Sequence, residues 1–210
     1  MTISPIGMIK GVVWTAGLFS LGQLLRVLSS VILTRLLRPE LFGILVIVYA
    51  VQNGVDLVSD LGLAQSLIIN SNADSPRFYN TIWSLRLFRG LLLSLCFIGA
   101  AIPLGRAYNT PALTWILPVV GLNFVLGGLA SLGPIFLQRR LQTTKYNIFQ
   151  FSTEGVATVG QVIYAWFSPT VWALVFGGLA SSLANTIASY FLVPELRHKF
   201  QISNEYVRQI

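Results

Sequence analysis

The sequence predicts an all-α integral membrane protein, a bundle of six transmembrane helices. Three observations lead there. Of its 210 residues, 54% are hydrophobic and only 10% charged, against about 25% charged in ordinary soluble domains. Mean hydropathy is +0.72, more apolar surface than one soluble core can hide. The apolar residues also fall into long stretches separated by polar or proline-bearing breaks. A bilayer core about 30 Å thick takes roughly 20 apolar residues per helical crossing, so this length has room for six crossings with short loops.

The stretches run over residues 11–33, 41–60, 78–104, 114–137, 146–167 and 171–193. Hydrophobicity at the N-terminus continues past Leu33 without a small-x-small cleavage site, so the first stretch reads as a membrane helix and not a signal peptide. Arg38-Pro39-Glu40 separates the first two helices, and 70–76 separates the second from the third. Asn109-Thr110-Pro111, then 138–145, then Ser168-Pro169 mark the remaining turns. Residues 1–195 are expected to form the bundle, and 196–210 a basic cytoplasmic tail leading toward a second lobe. The sole histidine, His198, is expected to mark the end of the sixth helix.

Orientation follows from the enrichment of cytoplasmic loops in Lys and Arg. With the N-terminus cytoplasmic, that side carries Lys10, Arg77, Arg139, Arg140, Lys145, Arg197, Lys199 and Arg208, and the other side Arg35, Arg38 and Arg106. Both termini are therefore placed in the cytoplasm. Trp14, Trp83, Trp115, Trp166 and Trp172 are assigned to helix ends in the headgroup zone.

The net charge of +7 does not form one basic patch, which argues against nucleic acid as a partner. Cys96 is the only cysteine and lies in the apolar run 91–101, excluding an intramolecular disulfide framework. No Cys/His or Ser/His/Asp constellation and no phosphate-binding Gly-Lys loop is visible, so neither enzyme chemistry nor an ATP motor is expected, and no cofactor or metal. A short similarity, Gly127-Gly128-Leu129-Ala130-Ser131 and Gly177-Gly178-Leu179-Ala180-Ser181, reads chiefly as helix-packing chemistry, with internal duplication as the alternative.

Ionisable residues inside membrane spans are costly and normally face a bundle interior or a hydrated cavity. The first helix carries Arg26, the second Asp56 and Asp60, the third Arg86 and Arg89, and the fifth Glu154. Residues three or four apart share a helix face, so Gln23, Arg26 and Ser30 form one polar stripe. Asn53, Asp56 and Asp60 form another, and Gln150, Glu154, Thr158 and Gln161 a third. Arg86 and Arg89 fall roughly 12 to 17 Å into their helix. Guanidinium groups bind phosphate oxygens bidentately, so Arg26, Arg86 and Arg89, with Gln23, are candidates for a cationic cavity that takes an anionic cargo. Asp56, Asp60 and Glu154 are candidates for coupling sites or counter-ions, and an acid of the second helix pairing with Arg86 or Arg89 would lock those helices together.

The run Leu33-Thr34-Arg35-Leu36-Leu37-Arg38-Pro39-Glu40-Leu41-Phe42-Gly43, with Ser59-Asp60-Leu61-Gly62-Leu63 and Leu137-Gln138-Arg139-Arg140, resembles the N-terminal half of the polysaccharide transporter family. These are the Wzx-type oligosaccharide flippases of the multidrug/oligosaccharidyl-lipid/polysaccharide exporter superfamily. The resemblance implies translocation of undecaprenyl-pyrophosphate-linked oligosaccharide across a bacterial inner membrane, by alternating access of two six-helix lobes around a cationic cavity. It implies that Arg26, Arg86 and Arg89 meet the pyrophosphate or acidic sugars. The alternative is a non-transporting scaffold of a polysaccharide assembly complex. Such proteins have twelve or more helices, so the chain is expected to be a truncated product, half of a split transporter, or a unit that pairs with its own copy.

Overall fold

A computed structural model describes residues 5–59 and 62–207, and every element among them is helical. The long helices are α1 (Pro5–Leu36), α2 (Pro39–Ser59), α4 (Pro76–Ala107), α5 (Leu113–Leu129), α7 (Thr143–Phe167) and α8 (Val171–Leu192). Shorter ones fill the breaks: α3 (Leu63–Ile69), a 3-10 turn (Ser71–Asp74), α6 (Gly133–Arg139) and α9 (Asn204–Val207). Among the described residues, α2, α4 and α8 are long and apolar enough to cross a membrane, and α5 with α6 forms a fourth, bent candidate. α7, with its polar stripe, is not among them.

α4 and α5 make the most extensive helix pair, followed by α7 with α8 and α1 with α7. The α4–α5 seam is built on small residues, because a Cβ at Gly90 would strike the Phe124 carbonyl and one at Gly128 would lie 2.8 Å from the Arg86 carbonyl oxygen. Around the seam Phe97, Ile116, Leu117 and Val120 join Val48 of α2 and Ala173 and Leu174 of α8 in one buried core. A second core, with Phe78, Ile82, Leu132 and Phe136, closes the end that carries Arg139 and Arg140. The two Gly-Gly pairs sit in different settings. Gly128 faces α4 at the end of α5, whereas Gly177 faces Gln161 of α7 near the start of α8.

The expected unbroken helix over 114–137 is corrected to two helices meeting at 56° around Ala130–Leu132. Within lipid a free backbone group costs several kcal/mol, so a break survives only where side chains satisfy it. They do so here. Arg86 donates to the Gly127 carbonyl at 3.1 Å, Thr186 to Leu126 at 2.9 Å, and the Tyr190 hydroxyl to Leu129 at 2.7 Å. Ser131 N–H donates to the Ser189 hydroxyl at 2.8 Å, and Gly133 N–H to the Ser131 hydroxyl at 3.2 Å.

The Leu132 N–H points at His198 Nε2, 3.4 Å away, and the Ser131 hydroxyl lies 2.9 Å from the same nitrogen. His198 therefore does not mark the end of a helix, as expected. α8 stops at Leu192 because Pro194 has no N–H to continue the ladder and disfavours a helical conformation at Val193 (φ −138, ψ 83). The chain then turns back along α4. Backbone N–H groups of Lys199, Gln201 and Ser203 donate to the side chains of Asn80, Ser84 and Thr81. The imidazole stacks on Trp83, with ring planes 10° apart and centroids at 5.5 Å, and meets Tyr79 and Tyr190 edge-on. Burial, helped by the nearby Arg86 charge, pushes its pKa from 6.5 down to about 4. The ring is thus neutral, and its Nε2 accepts from the broken helix. Trp115 and Trp166 are exposed near the start of α5 and the end of α7, whereas Trp83 is part of the histidine cage. Trp14 lies among residues whose side chains are outside the described set.

Candidate functional site

Of the six ionisable residues singled out from the sequence, the five that are described do not converge on one cavity. Arg89 is engaged through its Nε and Nη2. α2 ends at Ser59, beside Arg89, which lies about 20 Å along α4 from Pro76 at 1.5 Å per residue. Arg89 Nε donates to the Ser59 carbonyl at 2.9 Å, and its Nη2 to the Asp56 carbonyl at 3.2 Å. The same Nη2 reaches the Ser59 hydroxyl at 2.8 Å and the Asp56 carboxylate at 2.9 Å. One guanidinium thus caps a helix C-terminus and neutralises an acid, and it ties α2 to α4.

Arg26 is matched as well. Its Nη2 lies 2.9 Å from Glu154 Oε2, joining α1 to α7 with both side chains largely exposed. The pair lines a cavity of about 220 Å³ with Gly22, Gln23, Tyr146, Asn147, Gln150 and Phe151. Gln23 and Arg26 therefore belong to a groove whose lining shares no residue with that around Arg86 and Arg89. Asp60 lies outside the described residues.

Arg86 is different. Among the described residues it has no carboxylate partner, and its recorded hydrogen bond is the one to Gly127. Of five guanidinium donors, four remain for another acceptor. It opens on a cavity of about 210 Å³ lined also by Gln52, Asp56, Arg89, Asn123 and Ser182. In that wall the Asn123 side-chain oxygen is buried without a hydrogen-bond partner. That oxygen is an acceptor, so its complement is an N–H or O–H donor and not an anion.

Asn123 was not singled out from the sequence, where uncharged polar residues were weighed only beside an ionisable one on the same helix face. A lone amide in the apolar run 113–129 is the signal that finds it, on the same cost argument. Gln52, an amide inside the expected stretch 41–60, carries the same signal, whereas Ser182 carries none as strong.

The arrangement can bind an anion between an unmatched guanidinium and polar amides. It holds no group of three or more His, Cys, Asp or Glu able to take a metal ion among the described residues.

Comparison with known proteins adds what geometry cannot. The family described as "Polysaccharide biosynthesis protein" matches residues 32–210, most of the chain. The chain belongs to this family. Among curated proteins it is 23% identical over 166 residues to the succinoglycan biosynthesis transport protein ExoT of Rhizobium meliloti (strain 1021), covering 79% of this chain and 33% of that protein. It is 22% identical over 179 residues to the lipopolysaccharide biosynthesis protein WzxC of Escherichia coli (strain K12), covering 85% of this chain and 36% of that protein. The chain spans about a third of the length of these curated relatives. No solved structure matches it. The family match and the apolar helices together make this a multi-pass membrane protein of that polysaccharide biosynthesis family.

Proposed function

We propose that the chain forms one wall of a transporter that flips lipid-linked oligosaccharide, of the undecaprenyl-pyrophosphate class, across the bacterial inner membrane. The observation that carries this reading is Arg86, a cation without a carboxylate partner among the described residues, opening on a polar cavity. Charge within a membrane span is retained where it meets an opposite charge. A pyrophosphate supplies one, and the planar guanidinium fork suits its oxygens.

The opposing wall is a second six-helix lobe or a second copy of this chain, with both termini of this one in the cytoplasm. The start of α4, the bend between α5 and α6, and the end of α8 then face the cytoplasm, and Arg86 lies about 15 Å from Pro76 along α4. Arg89 and Asp56 act as a fixed strut in this account. Arg26 and Glu154 serve as mutual counter-ions, with no coupling role assigned.

The test is polysaccharide export in a strain that depends on this gene, scored for Arg86→Ala and Asn123→Ala with membrane insertion and protein level checked. Loss of export with normal insertion is expected for Arg86→Ala, and a partial defect for Asn123→Ala. Normal export from a stably inserted Arg86→Ala protein would refute the assignment. Persistent co-purification with glycan-assembly enzymes, in a protein that moves no lipid-linked sugar, would favour the scaffold reading instead.

A further inference from the structure

The groove between α1 and α7 has a different chemistry from the Arg86 cavity. Asn147, Gln150, Phe151 and Glu154 recur at intervals of three and four along α7, so they share one face, and Gln23 and Arg26 line the opposite side from α1. The formal charges cancel within it, because Arg26 and Glu154 form an ion pair at 2.9 Å. Gln23, Tyr146 and Asn147 make no side-chain hydrogen bond to other described residues, and Gln150 has one long one, 3.5 Å from Asn185. The side chains of Arg26 and Glu154 are 64% and 47% exposed, and exposed charged groups favour water over lipid.

Three primary amides offer both donors and acceptors, and the ion pair adds one further donor group and one further acceptor group. Two aromatic rings, Tyr146 and Phe151, supply flat apolar surface. A dianion would meet Glu154, and an apolar ligand would bury polar groups without partners. A neutral sugar matches on every count, because its hydroxyls donate and accept and its ring faces are apolar. At about 220 Å³ the groove is smaller than the roughly 300–1,000 Å³ of drug-sized sites, so it suits one sugar residue at a time.

We infer that this groove is a neutral-saccharide subsite, separate from the Arg86 cavity, in which Gln23, Asn147 and Gln150 hydrogen-bond the hydroxyls of one sugar residue and the Arg26–Glu154 pair closes one side. The inference rests on the proposed reading only in taking the cargo to carry sugar.

The test is saturation-transfer NMR on the purified protein, in a zwitterionic detergent without a sugar headgroup, using maltotetraose and cellotetraose as probes. Saturation of sugar-ring protons is expected for at least one of them. Removing two amides in Gln23→Ala/Asn147→Ala should weaken binding about fivefold or more, on the scale of one or two lost hydrogen bonds. Gln150→Ala, as a second variant, should also weaken it. Arg86→Ala should leave it unchanged. No transfer to either tetrasaccharide, equal transfer in the double variant, or loss in Arg86→Ala would each overturn the assignment. Intact saccharide binding combined with normal export by Arg86→Ala would instead sink the pyrophosphate reading and leave this subsite standing.

Discussion

Replacing Gly128 by alanine is expected to destabilise the bundle, whereas the same change at the adjacent Gly127 is not. A Cβ at Gly128 would lie 2.8 Å from the Arg86 carbonyl oxygen, 3.0 Å from Leu87 Cα and 3.3 Å from the Arg86 carbonyl carbon. These are backbone atoms, which no rotamer change can move aside. Ordinary contact begins at 3.4 Å, so α4 and α5 would have to part by about 0.6 Å along a seam packed to interior density. Overpacking of this kind costs about 1–3 kcal/mol, of which alanine's better helix propensity returns at most about 1 kcal/mol. The same displacement would stretch the Arg86–Gly127 hydrogen bond, already 3.1 Å long. At Gly127 a Cβ would meet nothing within 4 Å, so the effect there is neutral or stabilising by up to about 1 kcal/mol. Thermal unfolding in detergent, followed by tryptophan fluorescence, separates the two. After the return from helix propensity the net loss reaches about 2 kcal/mol, which corresponds to a fall in Tm of up to about 8 °C for Gly128→Ala. Equal shifts for the two variants, or a tolerated Gly128→Ala beside a damaging Gly127→Ala, would refute the close-approach argument.

Removing the α2 cap in Arg89→Ala should cost about 2–3 kcal/mol, because it strands two carbonyls and the Asp56 carboxylate in a part-buried site. Arg89→Lys should recover less than half of that, since one ammonium lacks the fork; full recovery in a denaturation series would disprove the capping role. Leu141 holds a left-handed conformation (φ 53) while its N–H and that of Gln142 close the end of α6 on Gln138 and Leu137. Leu141→Gly should therefore stabilise by about 0.5–1 kcal/mol in the same assay, the strain relieved exceeding the extra unfolded-state entropy. His198 binds its proton more weakly when folded, about 4 against 6.5. Its contribution is then fully present above pH 6.5 and lost as pH falls from 6.5 toward 4, where the unfolded chain takes up a proton that the folded one refuses. A plot of Tm against pH should fall more steeply in that window for the native protein than for His198→Gln, and parallel curves would count against the neutral-imidazole assignment.

Much of the architecture was legible because hydrophobic runs of helical length leave few alternatives in lipid. Leu33 to Leu41 contains the expected turn, and the starts and ends of α2, α4, α7 and α8 fall within a few residues of the expected stretches. The bend at 130–132 was missed because the run was read through Gly133-Pro134, a dipeptide that marks a break and here starts α6. The break is supported by Arg86, Thr186, Ser189, Tyr190 and His198, partners up to 67 positions away. The basic run around His198 read as a surface tail because a single sequence shows charge and not the aromatic cage waiting for it in Tyr79, Trp83 and Tyr190. At the site, spacing correctly grouped Arg86 with Arg89 on one face, but only three-dimensional pairing distinguishes the one that is spent on Asp56 and Ser59 from the one that is not. Counting charges likewise joined Arg26 to that cavity, although its counter-ion, Glu154, lies 128 positions along the chain.

The central claim, that Arg86 is the cation available to a phosphorylated cargo, is tested most directly by titrating inorganic pyrophosphate into the purified protein at low ionic strength by calorimetry. The account predicts saturable binding that Arg86→Ala reduces tenfold or more, on the scale of about 1.5–3 kcal/mol for hydrogen bonds to a charged group, and that Arg26→Ala leaves intact. Pyrophosphate binding unaffected by Arg86→Ala, or abolished by Arg26→Ala alone, would contradict it.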